Sequence, residues 1–295
     1  MTEHKRLDVE DFSNVWKDNQ NTLASGLKLD IVEHLLRQRL SKELVDAKQR
    51  LIETMKFDRF DNSQEIKILD VGCGLGIDLR LVADEAIRLG KTVAIIGLDQ
   101  NSTMIEEAKK LIDNQKNRLP SNISIQLIHG DILQMEFHDD TFDIVRADLT
   151  LQHVDLPKAL VEIRRVLKVH GRLIVLEAGA GNIYSSDEVM LKTYDAVIPD
   201  RRDGGTAIRL QFMLPKMNFE IKSTTPIGFL NSGEFLASQD RDWIKIRGMG
   251  EMMVAKGVLS KEKSEDFQKR YIEACETNQI VTAGIIFIIE AAKCK

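Results

Sequence analysis

The sequence contains few cysteines and few aromatic residues, and it lacks a long apolar run. Its cysteines, Cys73, Cys275 and Cys294, are odd in number and have no paired spacing. They therefore indicate a reducing compartment and no zinc or other metal site. Aromatic residues make up 5% of the chain, so an aromatic cage for a substrate is not indicated. The longest apolar run, 280–289, is shorter than the ~20 residues of a membrane-spanning helix.

An excess of basic charge is also lacking. Lysine and arginine number 41 against 46 aspartates and glutamates, which gives a net charge of −5. A protein that grips nucleic acid along its backbone needs a basic face, so this balance disfavours a nucleic-acid partner. The first twelve residues contain no apolar stretch of the signal-peptide kind. We therefore expect a cytoplasmic protein without a membrane span.

The order of apolar patterns predicts an α/β fold. Residues 8–57 have helical spacing, and we expect residues 1–60 to form an N-terminal helical cap. From residue 66 onwards, short apolar runs alternate with amphipathic helical patterns. Buried strands that alternate with helices are typical of a doubly wound parallel sheet. The predicted strands are 66–71, 93–98, 123–128, 142–147 and 173–176.

A glycine-rich turn follows the first predicted strand, in the stretch ILDVGCGLGIDLRLVA at 68–83. The NAD-binding turn reads Gly-x-Gly-x-x-Gly, whereas Gly72, Gly74 and Gly76 are spaced Gly-x-Gly-x-Gly and Ile77 takes the place of the third NAD glycine. Asp70, two residues before the turn, would repel a pyrophosphate. It suits a ligand that carries an ammonium and a sulfonium beside a carboxylate, such as S-adenosylmethionine. The alternative is that Asp70 only caps the turn.

Three further acids follow the next strands of the pattern. Asp99 ends the second strand, where a carboxylate can accept both ribose hydroxyls. Asp131 follows the third strand, with Ile132 placed beside an adenine ring. Asp148 follows the fourth strand, in RADLTLQHV. Because ligands of open α/β sheets bind outside the carboxyl ends of the strands, these acids and Asp70 are expected on one edge.

With these motifs in order from about 66 to 177, the chain resembles the class I S-adenosylmethionine-dependent methyltransferases. It is most similar to the small-molecule methyltransferases related to the ubiquinone and menaquinone C-methyltransferases. It departs from that group before the fifth strand, where Val169 and His170 replace Pro-Gly ahead of Gly171. The resemblance implies a Rossmann-like sheet of seven strands, in the order 3-2-1-4-5-7-6, whose last strand is antiparallel.

The resemblance also implies the outline of the rest of the chain. Strands six and seven would be 219–226 and 279–291, within a methyltransferase domain that spans 61–295. Two insertions, 178–217 and 227–278, are expected to be mostly helical and to form a lid over the substrate. The expected partners are a small-molecule substrate and, as one option, a second copy of the chain in a homodimer.

The resemblance further implies a set of cofactor-binding residues. Gly72 and Gly74 would let the backbone approach the methionine part of S-adenosylmethionine, and Asp148 would contact the same part unless it is a solvated loop acid. Gln100 and Met104 would border the adenine, although Met104 also fits the apolar face of its helix. The complete predicted set is Asp70, Gly72, Cys73, Gly74, Gly76, Asp99, Gln100, Met104, Asp131, Ile132 and Asp148.

The predicted catalytic residues are His153 and Glu177. His153 follows the fourth strand on the ligand edge and titrates near neutral pH, at ~6.5 when unperturbed. It is a candidate general base, or else it only shapes the pocket. Glu177, at the end of the fifth strand, would orient His153 or the substrate. Weaker substrate-contact candidates lie in the expected lid: Tyr184, Tyr194, Arg201 and Arg202.

Three other functions remain as alternatives to small-molecule methylation. Methylation of a protein or nucleic acid is one, but the position after the fourth strand reads ADLT and lacks an Asn-Pro-Pro-Tyr-like sequence. A catalytically silent partner that binds the cofactor is another, which the intact motif set disfavours. An NAD-dependent dehydrogenase is the third, and Asp70 and Ile77 oppose it. The sequence does not name the acceptor or the atom that is methylated.

Overall fold

The computed structural model describes residues 41–113, 119–197, 205–239 and 243–295. It contains a sheet of seven strands in the order β3-β2-β1-β4-β5-β7-β6. Residues 8–40 of the predicted N-terminal helices lie outside the described residues. The strands are β1 Glu65–Val71, β2 Thr92–Asp99, β3 Ile123–His129, β4 Phe142–Asp148, β5 Leu167–Ser185, β6 Phe219–Ser232 and β7 Ile280–Lys293. The predicted sheet order is confirmed.

The first five strands pair in parallel, and their carboxyl ends share one edge. Asp70 of β1 is in register with Arg146 of β4 and Gly97 of β2. Every residue of β4 before its last is buried. This agrees with a strand covered by helices on both faces, which reads as a continuous run of buried residues. The run contains two charged residues, Asp143 and Arg146, and Arg146 is the one that lies near the carboxyl end of the strand.

Helices connect the strands. Asp155 caps α4, where its side chain accepts a hydrogen bond from the Lys158 N–H, and Pro157 lies in the first turn. At the start of α3 the Asn101 side chain accepts the Met104 N–H at 3.2 Å, and asparagine is as good a cap as serine. The helices are α1 Lys42–Glu53, α2 Ile77–Arg88, α3 Ser102–Asp113, α4 Leu156–Val166, α5 Glu188–Val197, α6 Gly205–Lys216, α7 Gly233–Gln239, α8 Ile244–Ala255 and α9 Lys261–Glu276.

The last three strands are longer than the sequence pattern predicts. β5 continues to Ser185, so the expectation that 178–217 is mostly helical is wrong over its first eight residues. The small residues after Glu177, in AGAG, end the apolar pattern without ending the strand. β7 is antiparallel to both β5 and β6. β6 extends to Ser232, so the segment between β6 and β7 begins at Gly233.

The chain divides into two compact units. The first, here the sheet unit, comprises Lys42–Gly179, Asp203–Ile227 and Ile286–Lys295. Its core joins the strands to α4 and α6 and contains Leu69, Val145, Leu160, Val175 and Leu210. Every residue predicted to bind the cofactor, together with His153 and Glu177, belongs to this unit.

The second unit, here the helical unit, includes the described residues of Ala180–Arg202 and Gly228–Ile285. Its own apolar cluster includes Met190, Met253 and Phe267. Arg270 donates to Asp187 at 3.1 Å, which links α9 to the residue before α5. The prediction that the insertions cover the substrate stays a prediction.

Candidate active site

The glycine turn joins β1 to α2 and has left-handed backbone at each glycine. Gly72, Gly74 and Gly76 have φ values of 70°, 52° and 67°. A Cβ on Gly72 would lie 2.3 Å from the Thr150 side chain, whereas around Gly74 no described atom lies within 4 Å of that position. Glycine is therefore required for close packing at Gly72, and the backbone at Gly74 is open to a ligand.

Asp70 lies at the carboxyl end of β1 and is 3% exposed. Its carboxylate accepts a hydrogen bond from the Arg146 guanidinium at 2.7 Å. Burial raises the pKa of Asp70 to about 6, and Arg146 opposes that rise. Asp70 is therefore mostly charged at neutral pH because of a buried arginine. A carboxylate that only caps the turn needs no such partner.

Asp148 ends β4, and its side chain is 7% exposed. The alternative that it is a solvated loop acid is therefore wrong. One carboxylate oxygen, Oδ2, accepts from Arg146 at 2.7 Å and from Lys48 of α1 at 2.8 Å. The other oxygen, Oδ1, is buried and has no hydrogen-bond partner among the described residues. A buried acceptor of this kind is costly unless something donates to it.

Asp78, in the first turn of α2, completes the cluster. It pairs with Lys48 and lies 3.4 Å from Arg146. Burial lowers the pKa of Lys48, but Asp148 and Asp78 outweigh burial and raise it above its usual value. We call Lys48, Asp70, Asp78, Arg146 and Asp148 the acidic cluster. Three carboxylates face two cations, so the cluster carries one excess negative charge.

Asp99 links the end of β2 to the glycine turn. Its two carboxylate oxygens accept the Gly74 and Asn101 N–H groups, each at 2.8 Å. Burial raises its pKa, and these two hydrogen bonds oppose the rise. Each carboxylate oxygen has a second lone pair, so these bonds do not prevent Asp99 from accepting a hydroxyl. They also fix its orientation beside the open backbone of Gly74.

The residues predicted near the adenine lie after β2 and β3. His129 Nε2 lies 2.9 Å from the backbone oxygen of Gln100 and connects the ends of these two strands. Asp131 is exposed and accepts the Leu133 N–H at 2.8 Å. Met104 and Ile132 are 4% and 7% exposed. Ile132 also packs in the apolar core of the sheet unit.

His153 and Glu177 are connected through a short turn. His153 ends the 3₁₀ turn Leu151–His153. Glu177 is 0% exposed, and its Oε1 accepts the Leu151 N–H at 2.5 Å. Its other oxygen, Oε2, is buried and has no hydrogen-bond partner in the described part of the chain. Glu177 thus holds the backbone of the turn that carries His153.

Burial moves the pKa values of these two side chains in opposite directions. It raises that of Glu177 to about 8 and lowers that of His153 to about 4. The expected titration of His153 near 6.5 is therefore wrong, because the half-buried ring disfavours the charged form. Near neutral pH both side chains are uncharged. Burial likewise raises the pKa of the Cys73 thiol, which opposes a nucleophilic role.

Of the weaker substrate candidates, the structure describes Tyr184 and Tyr194, and both lie in the helical unit. Tyr184 is 56% exposed and Tyr194 packs on the apolar cluster of that unit. Arg201 and Arg202 lie outside the described residues. Sequence reasoning missed Lys48, Asp78 and Arg146, which are three of the five members of the acidic cluster. The available signal was Arg146 itself, since an arginine within a buried strand requires partners.

The described residues contain no group of histidine, cysteine, aspartate and glutamate side chains that could hold a metal ion. None of their helices is long and apolar enough to cross a membrane.

Comparison with known proteins gives this geometry a context. Residues 62–202 match a family described as a methyltransferase domain. A demethylmenaquinone methyltransferase of Staphylococcus aureus is 34% identical over 113 residues, which are 38% of this chain and 43% of that protein. An uncharacterised 37.1 kDa protein of a Streptomyces fradiae transposon is 31% identical over 60% of this chain and 50% of its own length. The chain therefore spans half or less of these two relatives.

Solved structures match over more of the chain. A methyltransferase-like protein of Bacillus halodurans aligns with 83% of this chain and 99% of its own, at a TM-score of 0.53 and 18% identity. The YcgJ protein of Bacillus subtilis aligns with 85% of this chain and 99% of its own, at 0.52 and 19% identity. At such identity these matches show the fold alone.

Proposed function

We propose that the chain is a class I S-adenosylmethionine-dependent methyltransferase, whose methyltransferase domain includes residues 62–202, and that it transfers a methyl group from S-adenosylmethionine to a small-molecule acceptor. The observation that carries the proposal is the acidic cluster beside a glycine turn whose backbone is open at Gly74. The excess negative charge matches a cationic ligand. It does not match the pyrophosphate of a dinucleotide.

The residues present fit the cofactor at both of its ends. We assign its methionine ammonium to Asp148, whose Oδ1 is a buried acceptor without a described partner. We assign its ribose hydroxyls to Asp99, which the Gly74 and Asn101 N–H groups orient. Gln100, Met104, Asp131 and Ile132 remain candidates for the adenine, at the ends of β2 and β3.

When bound, S-adenosylmethionine supplies an activated methyl group and its own leaving group. The chain then has to align the acceptor with the methyl carbon and exclude water, and such positioning can supply ~7–11 kcal/mol. Most of the proposed work of this protein is therefore binding and orientation. A base contributes only if the acceptor atom must lose a proton.

We propose His153 as the residue that contacts the acceptor. Its uncharged imidazole can accept a hydrogen bond or a proton at neutral pH. With a pKa of about 4 it is a weak base, which favours orientation over proton removal. Glu177 is proposed as a positioning residue, because it holds the turn of His153 through the Leu151 N–H.

The small-molecule acceptor is proposed over a protein or nucleic acid because of the net charge of −5 and the relationship to a demethylmenaquinone methyltransferase. Screening of metabolite mixtures, with mass spectrometry of S-adenosylhomocysteine formation, tests it. Turnover with a protein or RNA fraction and none with metabolites would reject the small-molecule assignment. Cofactor binding without turnover in every fraction would instead indicate a silent partner subunit.

Calorimetry tests the cofactor. We expect S-adenosylmethionine and S-adenosylhomocysteine to bind and NAD not to bind. Asp99→Ala should weaken binding ~10-fold or more, because a charged hydrogen bond is lost and ribose hydroxyls are left unpaired. Asp99→Asn should fall between, and the control Asp84→Asn, at an exposed partner of Arg80, should match the wild type. NAD binding without a response to the sulfur ligands would reject the proposed function.

A further inference from the structure

We propose that Arg146 is a positioning residue for the cationic end of the cofactor, which it serves by holding Asp70 and Asp148 at once in a buried and charged state. This inference rests on the proposed function. It assigns a role to an arginine that the reaction itself does not require, and it explains why a buried strand contains a charge.

The geometry separates Arg146 from an ordinary ion-pair partner. The arginine is 1% exposed, and its two terminal nitrogens donate to acids on two different strands. Nη1 donates to Asp70 of β1 and Nη2 to Asp148 of β4, each at 2.7 Å. A lysine cannot make both contacts in this planar arrangement. Arg146 therefore connects Asp70, which precedes the glycine turn, to Asp148, whose Oδ1 has no hydrogen-bond partner among the described residues.

The charges around Asp70 decide how it titrates. Arg146 and Asp148 face it from β4, Asp78 faces it from α2, and the Cys73 thiol lies in the turn that follows. Lys48 of α1 belongs to the same cluster through Asp78 and Asp148. Of these groups, Arg146 stabilises the charged form of Asp70, whereas Asp78 and Asp148 destabilise it. Removing Arg146 and removing Asp78 should therefore shift the pKa of Asp70 in opposite directions.

This opposition gives a measurement that a purely structural arginine would not affect. In the wild type, the affinity for S-adenosylmethionine should fall as pH decreases through about 6, where Asp70 binds a proton. In Arg146→Met the pH midpoint of this loss of affinity should move upward, and binding of S-adenosylmethionine at neutral pH should weaken ~10-fold or more. In Asp78→Asn the midpoint should move downward. Arg146→Lys, which keeps the charge but not both contacts, should fall between wild type and Arg146→Met.

Three ligands and one control variant complete the experiment. Calorimetry is run between about pH 5 and about pH 8 with S-adenosylmethionine, S-adenosylhomocysteine and 5′-methylthioadenosine, because the last lacks the methionine ammonium and carboxylate. Its affinity should be the same in all variants. The control is Arg172→Met, at a second buried arginine of the sheet unit, and its midpoint should equal that of the wild type.

Each outcome decides the proposal. Equal loss of 5′-methylthioadenosine and S-adenosylmethionine in the Arg146 variants would show that the arginine only supports the fold. If Arg146→Met does not fold, Arg146→Lys and Asp78→Asn remain, and an unmoved midpoint in both overturns the proposal. A wild type that binds none of the three ligands rejects the proposed function itself. A wild type that binds with no acidic midpoint rejects the role of Asp70 and Arg146 alone.

Discussion

Two buried arginines on neighbouring strands, Arg146 of β4 and Arg172 of β5, have opposite surroundings. Arg146 is paired with the acids Asp70 and Asp148 and lies near Asp78. Arg172 is paired with one acid, Glu290 of β7, and donates to the backbone oxygens of Met55 and Thr54. Burial lowers the pKa of both arginines. Only for Arg146 do the carboxylates outweigh burial and raise it.

The difference teaches how to recognise a binding cluster among buried charges. Glu290, the acid that pairs with Arg172, also pairs with Lys56, whose Nζ lies 2.6 Å from Glu290 Oε2. Its negative charge is therefore fully matched by cations of the chain itself. The acidic cluster around Arg146 has an unmatched charge and two buried atoms without described partners, Arg146 Nε and Asp148 Oδ1. Buried charges that satisfy one another need no further partner, whereas an unmatched set with unsatisfied atoms anticipates a ligand.

Two buried glutamates repeat the contrast. Glu290 faces Lys56, Arg59 and Arg172, and although burial raises its pKa, Lys56 and Arg172 lower it below the usual value. Among the described residues no cation pairs with Glu177, and burial raises its pKa to about 8. Glu290 is thus charged and structural. Glu177 is uncharged at neutral pH and lies at the ligand edge of the sheet.

The largest expected effect is on the free energy of unfolding, and it distinguishes the two arginines. Arg146→Met should lower the free energy of unfolding by about 3–5 kcal/mol at neutral pH, because it leaves the buried acids Asp70 and Asp148 without their shared cation. Arg172→Met should lower it by about 1–3 kcal/mol for each backbone oxygen, of Met55 and of Thr54, that loses its donor. At about pH 5 the loss in Arg146→Met should shrink, since Asp70 then binds a proton. The loss in Arg172→Met should stay constant, because Lys56 still pairs with Glu290 and the backbone oxygens do not titrate. Chemical denaturation at both pH values measures this.

Equal pH dependence of the two losses would contradict the comparison. It would mean that the acids around Arg146 find other partners when the arginine is removed, so that the cluster is no less satisfied than the one around Arg172.

A smaller effect distinguishes the two glutamates. The pKa of Glu177 in the folded protein, about 8, exceeds its ordinary value of 4.5, so its contribution to stability is full below 4.5 and is lost as pH rises through 8. Glu177→Gln cannot lose a proton. Its stability relative to wild type should therefore increase by on the order of 2–4 kcal/mol between about pH 5 and about pH 8.

Glu290→Gln should behave in the opposite way. Its folded-state pKa is lowered, so the glutamate contributes stability at neutral pH that is lost on acidification, and the glutamine variant should be least stable relative to wild type at neutral pH. Thermal unfolding checks the sign, between about pH 5 and about pH 8 for Glu177→Gln and between about pH 3 and about pH 7 for Glu290→Gln, because the Glu290 contribution is lost only below the ordinary pKa of 4.5. The same slope in both would show that Glu177 is charged in the folded protein.

The contrast also explains how much of the molecule could be predicted from sequence. The alternation of strands and helices and the edge that carries Asp70, Asp99 and Asp148 follow from patterns that local physics controls: apolar runs, glycine turns and acids at strand ends. The strand order is expected only because the motifs resemble those of a known family. The structure places all three acids on the expected edge of the sheet unit. The end of β5 could not be predicted, because AGAG is also typical of a loop.

The partners of these acids could not be predicted for a different reason. Lys48 is 100 positions from Asp148 in the sequence, and their pairing depends on how α1 packs near the ends of β1 and β4. Arg146 is 76 positions from Asp70, and their contact depends on the pairing of β1 with β4. The pKa of His153 was mispredicted for the same cause, since burial is a property of the folded chain. Sequence indicates which residues carry chemistry, and tertiary structure sets their charge.

The smallest expected effect concerns His153, which shares with Glu177 an uncharged state caused by burial. If His153 orients the acceptor, His153→Ala should raise the KM of the acceptor ~10-fold while kcat and cofactor affinity change less. His153→Gln, which can still form a hydrogen bond, should recover part of the loss. The control His138→Ala, at an exposed histidine, should match the wild type. With saturating S-adenosylmethionine, the wild-type rate should show no acidic limb near 6.5, because the pKa of His153 is about 4. A ~10²-fold drop in kcat together with an acidic limb near 6.5 that disappears in His153→Ala would instead identify it as a general base with an ordinary pKa.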